Sequence, residues 1–226
     1  MMFANRVDAG RRLAKELERF RDRRPVVLAL PRGGVPVGWE IAKALEAPLD
    51  VVIVRKIGHP LSPEYAIGAI ADGTGIEKVL DDEALLAGMD VEPAYVAAEI
   101  ERQTREIERR RALFYRDCSP TDLAGRTVLM VDDGIATGAT MRAAVKAARS
   151  RNPAHVVLAV PVAPPSAIDL LRRDVDEVVC LMVREDFGAV GRFYRDFTQV
   201  EDAEVIALLE TGRRAQAERE AKSPSK

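Results

Sequence analysis

One stretch of the chain joins residue types whose spacing dictates a chemistry: VLMVDDGIATGAT, residues 128–140. An apolar run ends in two adjacent carboxylates, Asp132 and Asp133. It passes into small residues and hydroxyls, namely Gly134, Ile135, Ala136, Thr137, Gly138, Ala139 and Thr140. Gly134 and Gly138 let the backbone approach a ligand closely and permit positive φ. Successive N–H groups in such a turn, backed by a helix N-terminus, favour a phosphate dianion, and Thr137 and Thr140 add hydroxyl donors. The carboxylates would repel that phosphate, so they must face another part of the ligand. Ionised Asp accepts O–H donors strongly, which makes the adjacent hydroxyls of a sugar their natural partners. A magnesium ion carried by the ligand would screen the remaining negative charge. The stretch predicts a sugar-phosphate site, with the phosphate in the turn and the diol on the acids. The plainer alternative, two aspartates that end a strand and cap a helix, leaves the glycines and threonines unexplained. A P-loop is excluded because GxxxxGK[ST] is absent, and no GxGxxG follows a strand.

Positioning such a turn requires a strand before it and a helix after it. PVVLAL, 25–30, is a short apolar run that predicts a buried strand. PRGG follows as a turn, VPVGWEIAKALEA has helical spacing, and LDVVIV, 49–54, predicts the next strand. Strand, glycine turn, helix and strand make a βαβ unit, whose default outcome is a parallel sheet. The Gly, Pro and Ser of 55–66 predict a mobile loop, and 67–72 an extended segment. A helical insertion is expected over 82–117, its long piece near 92–116 carrying Glu/Arg alternation that reads as a solvated face with i,i+4 pairs. Then TVLMVDD, HVVLAVPV and DEVVCLMV predict strands, separated by the helical ATMRAAVKAARS and SAIDLLRRD. At the start, Asp8 is the expected cap of a helix that buries Leu13 and Leu17. The whole predicts an α/β fold, a Rossmann-like open, mainly parallel sheet flanked by helices, as a single domain over 1–210. The charged tail 211–226 is expected to be frayed or disordered.

Composition narrows the partners. At 226 residues and 47% hydrophobic, the chain is long enough for one substantial core. A formal net charge of −2 gives no electrostatic footprint for nucleic acid. No apolar run approaches the ~20 residues of a membrane helix, and the N-terminal residues lack a signal-peptide pattern, so a cytoplasmic protein without membrane partners is expected. Two cysteines, Cys118 and Cys180, and two histidines, His59 and His155, show no metal-ligand spacing. A second acidic pair, Asp81 and Asp82, has no glycine turn after it and reads as helix capping.

VLMVDDGIATGAT closely resembles the phosphoribosyl-diphosphate (PRPP) motif of type I phosphoribosyltransferases. PRGG, 31–34, stands after the first core strand, where that family has its pyrophosphate loop, often with a non-proline cis peptide. Arg55 and Lys56 follow the next strand, where it has basic residues near the diphosphate and then a mobile catalytic loop. The resemblance covers roughly 25–183, and EYAIGAIADG and GRFYRDFTQVEDAEVIALL are typical of its stand-alone bacterial group.

The resemblance implies the type I phosphoribosyltransferase fold, with a small variable hood formed here by the terminal segments. It implies transfer of the phosphoribosyl group from PRPP to a nitrogen acceptor, a nucleobase being the usual kind, with Mg2+-dependent release of diphosphate. Asp132 and Asp133 would hold the ribose hydroxyls and, through them or water, the magnesium. Gly134 to Thr140 would bind the 5′-phosphate. Arg32, Gly33, Gly34, Arg55 and Lys56 would bind the leaving diphosphate, with Arg32, Lys56 and the two acids as the catalytic set. A homodimer would fit the family. His59 is either a proton donor from the loop or an ordinary solvated residue. Phe193, Tyr194 and Phe197 either stack on a base or anchor the C-terminal segment. A PRPP-binding regulator without turnover, and a sugar-phosphate-binding module without PRPP specificity, remain alternatives.

Overall fold

A computed structural model of the chain describes residues 2–80, 88–116 and 118–222. Asp81 and Asp82 lie outside them. Five strands form one parallel sheet in the order β2-β1-β6-β7-β8, where β1 is Pro25–Ala29, β2 Leu49–Val51, β6 Thr127–Val131, β7 His155–Ala163 and β8 Glu177–Val183. β1 and β6 are buried along their whole length because both faces of the sheet are covered. Successive side chains alternate between two cores. Val27, Ala29, Leu129 and Val131 face helices α1 (Arg6–Leu17) and α2 (Gly34–Leu45). Val26, Leu28, Val128 and Met130 face α4 (Ala139–Arg149) and α5 (Pro165–Leu171).

This strand order decides where a ligand can bind. From β1 the chain crosses by α2 to β2 on one side, and from β6 it crosses by α4 to β7 on the other. β1 and β6 therefore flank a topological switch point, where the two following turns diverge and leave a crevice. Their register is flush: Ala29 pairs with Val131, and Leu30 N–H donates to the Val131 carbonyl at 2.9 Å. The PRGG turn and the Asp-Asp turn consequently leave the sheet at the same level.

A second, antiparallel sheet joins β3 (Val54–His59), β4 (Ser62–Asp72) and β5 (Ile76–Leu80). Two expectations change here. LDVVIV is broken, its first half ending the parallel sheet and its last residue opening β3. The segment 55–66 is a β-hairpin rather than a loop. Its Gly and Pro residues disguise the pattern, and they coincide with register shifts at Ile57/Gly58 and Gly58/His59. Residues 67–72 are extended as expected.

Helix α3 (Pro93–Tyr115) buries Val96, Gln103, Ile107 and Phe114 at helical spacing. Its outer face carries the expected ion pairs, among them Arg105–Glu101 at 2.6 Å and Arg110–Glu106 at 2.8 Å. Helix α6 (Asp202–Lys222) runs well into the stretch expected to be frayed from residue 211. After Gly212 that stretch is built of good helix formers, and Arg213 docks on the Phe114 carbonyl at 3.0 Å. At the other end Asn5 caps α1 by accepting the Asp8 N–H, while Asp8 accepts the Ala4 N–H at 2.9 Å. Asp8 is not the cap itself: it stands in the first turn and holds the residue before the cap.

The two end segments meet. Phe3 N–H donates to the Phe193 carbonyl at 2.8 Å, Arg195 N–H to Phe3 at 2.9 Å, and Asp196 N–H to Ala4 at 3.0 Å. Phe3 also packs on Tyr194, with ring centroids 5.3 Å apart.

Candidate active site

The acids follow directly on β6, and their side chains part. Asp132 lines a cavity of about 200 Å³ together with Gly134, Ile135, Ala136, Thr137, Gly138, Thr140, Met141, Val190 and, from the other sheet, Lys56. Asp133 is turned instead to α1 and the PRGG turn. Its Oδ2 accepts Arg6 Nε at 2.7 Å, and it occupies the space where a Cβ on Gly33 would lie. Burial pushes the Asp132 carboxyl well above its ordinary range, and the neighbouring Asp133 charge adds to this. Burial also raises Asp133, opposed by the Arg6 charge and hydrogen bond.

Gly138 stands at the N-cap of α4 with φ of 87°, a left-handed conformation. The first-turn N–H groups of the helix that follows have no carbonyl behind them. Gly134 does not share that conformation. It is small because a Cβ there would lie 2.6 Å from Val190 Cγ1. Thr137 is exposed and Thr140 half-buried at the mouth, Ile135 is buried beneath, and Ala139 begins α4. The turn and the first residues of α4 line the cavity together with Asp132.

The PRGG turn contains a cis peptide between Pro31 and Arg32. Gly34 lies so close to the end of β6 that a Cβ would be 2.7 Å from the Val131 carbonyl oxygen. Arg32 reaches over the N-terminus of α6, with Nη1 at 3.7 Å from Glu201 and 3.8 Å from Asp202. Arg55 and Lys56 do not stay together. On a strand they point to opposite faces, so Lys56 faces the cavity while Arg55 Nε donates to Gln103 on α3 at 2.8 Å. Burial lowers the Arg55 pKa, and Arg110 nearby adds to it. The structure places Arg55 as a strut between β3 and α3.

His59 lies in the hairpin turn. Its Nδ1 accepts the Leu61 N–H at 3.2 Å, which leaves Nε2 to donate to the Met89 carbonyl at 3.2 Å. His155 opens β7 beside Asp176. Cys180 packs against the core and donates to the Met182 carbonyl. Tyr194 anchors the C-terminal segment, since its hydroxyl donates to the Asp133 carbonyl at 2.6 Å and its ring lies 5.1 Å from Phe197. Phe193 stacks on Phe187. Sequence reasoning missed Arg6 altogether. Beyond Asp133, its Nη1 donates to the Thr198 carbonyl at 2.7 Å and its guanidinium lies 3.9 Å from the centre of the Phe197 ring. A single arginine in the first turn of a helix carries no motif that would reveal this.

A parallel sheet with a glycine turn and an acid pair at its switch point defines an open α/β architecture with a crevice at the strand ends. The family model for the phosphoribosyl transferase domain matches residues 3–198, and the chain belongs to that family. It is 46% identical over 217 residues to Rv0571c and to MT0597, two proteins of Mycobacterium tuberculosis provisionally named phosphoribosyl transferases. The match takes in 96% of this chain but 48% of theirs, so the chain spans about half the length of these curated relatives. It is also similar to the crystal structure of TT1426 from Thermus thermophilus, at 42% identity and a TM-score of 0.78, over 92% of this chain and 98% of that one. Among the described residues, no helix is long and apolar enough to cross a membrane.

Proposed function

We propose that the chain transfers the 5-phosphoribosyl group of PRPP to a nitrogen acceptor of the nucleobase kind and releases diphosphate. The observation that carries this reading is the cavity that joins Asp132 and the 134–140 turn to Lys56 from a separate sheet. The 5′-phosphate lies on the turn and the ribose hydroxyls face the acids. The diphosphate lies toward Gly33, Gly34 and Lys56, with Arg32 able to swing from Glu201 and Asp202. Displacement at C1 passes through an oxocarbenium-like state, so positioning and charge stabilisation do the catalytic work. The end segments 3–6 and 190–200 act as the hood.

Among the described residues, no third His, Cys, Asp or Glu joins the acids in a metal-binding group. With Asp133 Oδ2 held by Arg6, this donor set fits a magnesium ion that arrives on the ligand's own oxygens and meets the acids through hydroxyls or water. Bound there, magnesium would neutralise charge on the departing diphosphate. The deciding experiment is a screen of nucleobases for diphosphate release from PRPP, beside titration calorimetry with PRPP. Binding with release for one base supports the reading, and no PRPP binding overturns it.

A second reading, a PRPP- or nucleotide-binding regulator without turnover, is favoured by one observation: Arg55 and Arg32 are engaged by Gln103, Glu201 and Asp202. PRPP binding with no release across the screen would select it.

A further inference from the structure

Asp133 is the member of the acid pair with a cation already beside it. Arg6 holds it through Nε at 2.7 Å, while the same guanidinium donates to the Thr198 carbonyl and lies over Phe197. Both side chains are nearly closed to solvent, at 11% exposed for Arg6 and 13% for Asp133. The Tyr194 hydroxyl holds the Asp133 backbone, and Gly33 closes over its carboxylate. A cation held by three separate partners at such depth is built in, and it is not a surface charge that wandered onto an acid. Asp132, by contrast, lines the cavity and spends one oxygen on the Asp133 N–H at 2.8 Å.

We infer that Arg6 is the resident counter-cation and a positioning residue of the sugar-phosphate site: it holds the Asp133 carboxylate in place and offsets its charge beside Asp132, which lines the cavity. This rests on the proposed sugar-phosphate reading. Two uncompensated carboxylates at one turn would repel an incoming phosphate ester until a divalent cation screened them. With Arg6 in place a guanidinium offsets the negative charge at Asp133. The site then accepts a sugar phosphate before any metal arrives, and Arg6 stays on Asp133 when the ligand is bound.

The test has two arms. In the first, ribose 5-phosphate is titrated into wild type, Arg6→Gln, Arg6→Lys, Asp133→Asn and the Arg6→Gln/Asp133→Asn double variant, with and without magnesium. Arg6→Gln is expected to weaken magnesium-free binding by about tenfold or more, the scale of a lost charged hydrogen bond. Magnesium should restore part of the loss, and Arg6→Lys should fall between the two. In the double variant, removing Arg6 should add little beyond Asp133→Asn alone, because the arginine acts through that acid. Equal losses with and without magnesium, or full additivity, would overturn the inference.

The second arm needs no variant. The Arg6 Nε–H proton should be protected from solvent exchange in the ligand-free protein and remain so at saturating ribose 5-phosphate. Fast exchange in the free protein, or release of Arg6 on binding, would overturn the inference. If wild type bound neither ribose 5-phosphate nor PRPP, the sugar-phosphate reading would fall, while the placement of Arg6 would still be judged by this resonance.

Discussion

Asp133 Oδ2 lies where a Cβ on Gly33 would have to go, the two positions being 2.0 Å apart. Gly33 itself has φ of −60° and ψ of −33°, a conformation open to any residue. Its smallness therefore serves the acid and not the backbone. Gly33→Ala should drive the carboxylate from Arg6, destabilise the chain by about 1–3 kcal/mol as overpacking does, and weaken PRPP binding. Replacing Asp133 by Ala as well should relieve the clash but leave Arg6 buried without its partner, so neither stability nor affinity should return to that of the wild type. Thermal melts and calorimetry on both variants decide this, and a stable Gly33→Ala protein with normal PRPP affinity would contradict it.

Gly138 has the opposite reason to be glycine. Its φ of 87° is the constraint, while a Cβ there would find its nearest neighbours at an ordinary 3.4 Å. Gly138→Val should abolish binding of ribose 5-phosphate and PRPP alike, because a β-branched residue resists positive φ and the N–H cradle turns away. Ribose 5-phosphate binding equal to wild type would place the phosphate elsewhere.

The parting of Arg55 and Lys56 gives the sharpest comparison. Lys56→Ala should reduce turnover and PRPP affinity yet leave nucleoside monophosphate binding nearly normal, since the monophosphate lacks the diphosphate. Arg55→Ala should instead lower the melting temperature by removing the strut to Gln103, with no preference between the two ligands. A loss of about 1 kcal/mol of stability appears as roughly 2–4 °C in a chain of this size. Equal behaviour of the two variants would mean that they share one role.

A pH effect is expected from α3. Glu106 is held down to about 2 by hydrogen bonds from Arg109 and then Arg110. Its folded pKa is depressed, so its contribution is present above the ordinary glutamate value and is lost as pH falls toward 2. The pairs face solvent, so the contribution is small, below about 1 kcal/mol, and salt weakens it. Glu106→Gln should lower the melting temperature slightly at pH 7 and not at all near pH 2. A difference that grew on acidification would refute the assignment.

The sheet was legible because parallel strands must be apolar on both faces, and PVVLAL, TVLMV and HVVLAVPV announce themselves. The turn at 134–140 was legible as a turn because glycine permits the left-handed conformation that Gly138 adopts. The hairpin at 54–72 was hidden because Gly58 and Pro60 mimic loop punctuation while marking a bulged strand pair. The helix beyond residue 211 was hidden because a charged, low-hydropathy stretch reads alike whether it frays or docks by one arginine. Arg6 was beyond reach for a different reason: its partner is remote in sequence, and no local pattern records a contact of that span.

The hydrogen bonds that join Phe3 and Ala4 to residues 193–196 close a ring of almost the whole chain. Such a closure has a large entropy of ordering and gains only when both segments are already in place, so it belongs late in folding. It should also be the first seam to part, since few backbone bonds hold it while the central strands lie deep in two cores. Opening there would uncover the acid pair and leave the sheet intact. The site would then breathe on a timescale of its own, separate from global unfolding. Hydrogen exchange reads this directly: the Arg195 and Asp196 amides should exchange by a local route, far faster than those of Leu129 and Met130. Identical protection of the two sets would show that the seam and the core melt as one unit.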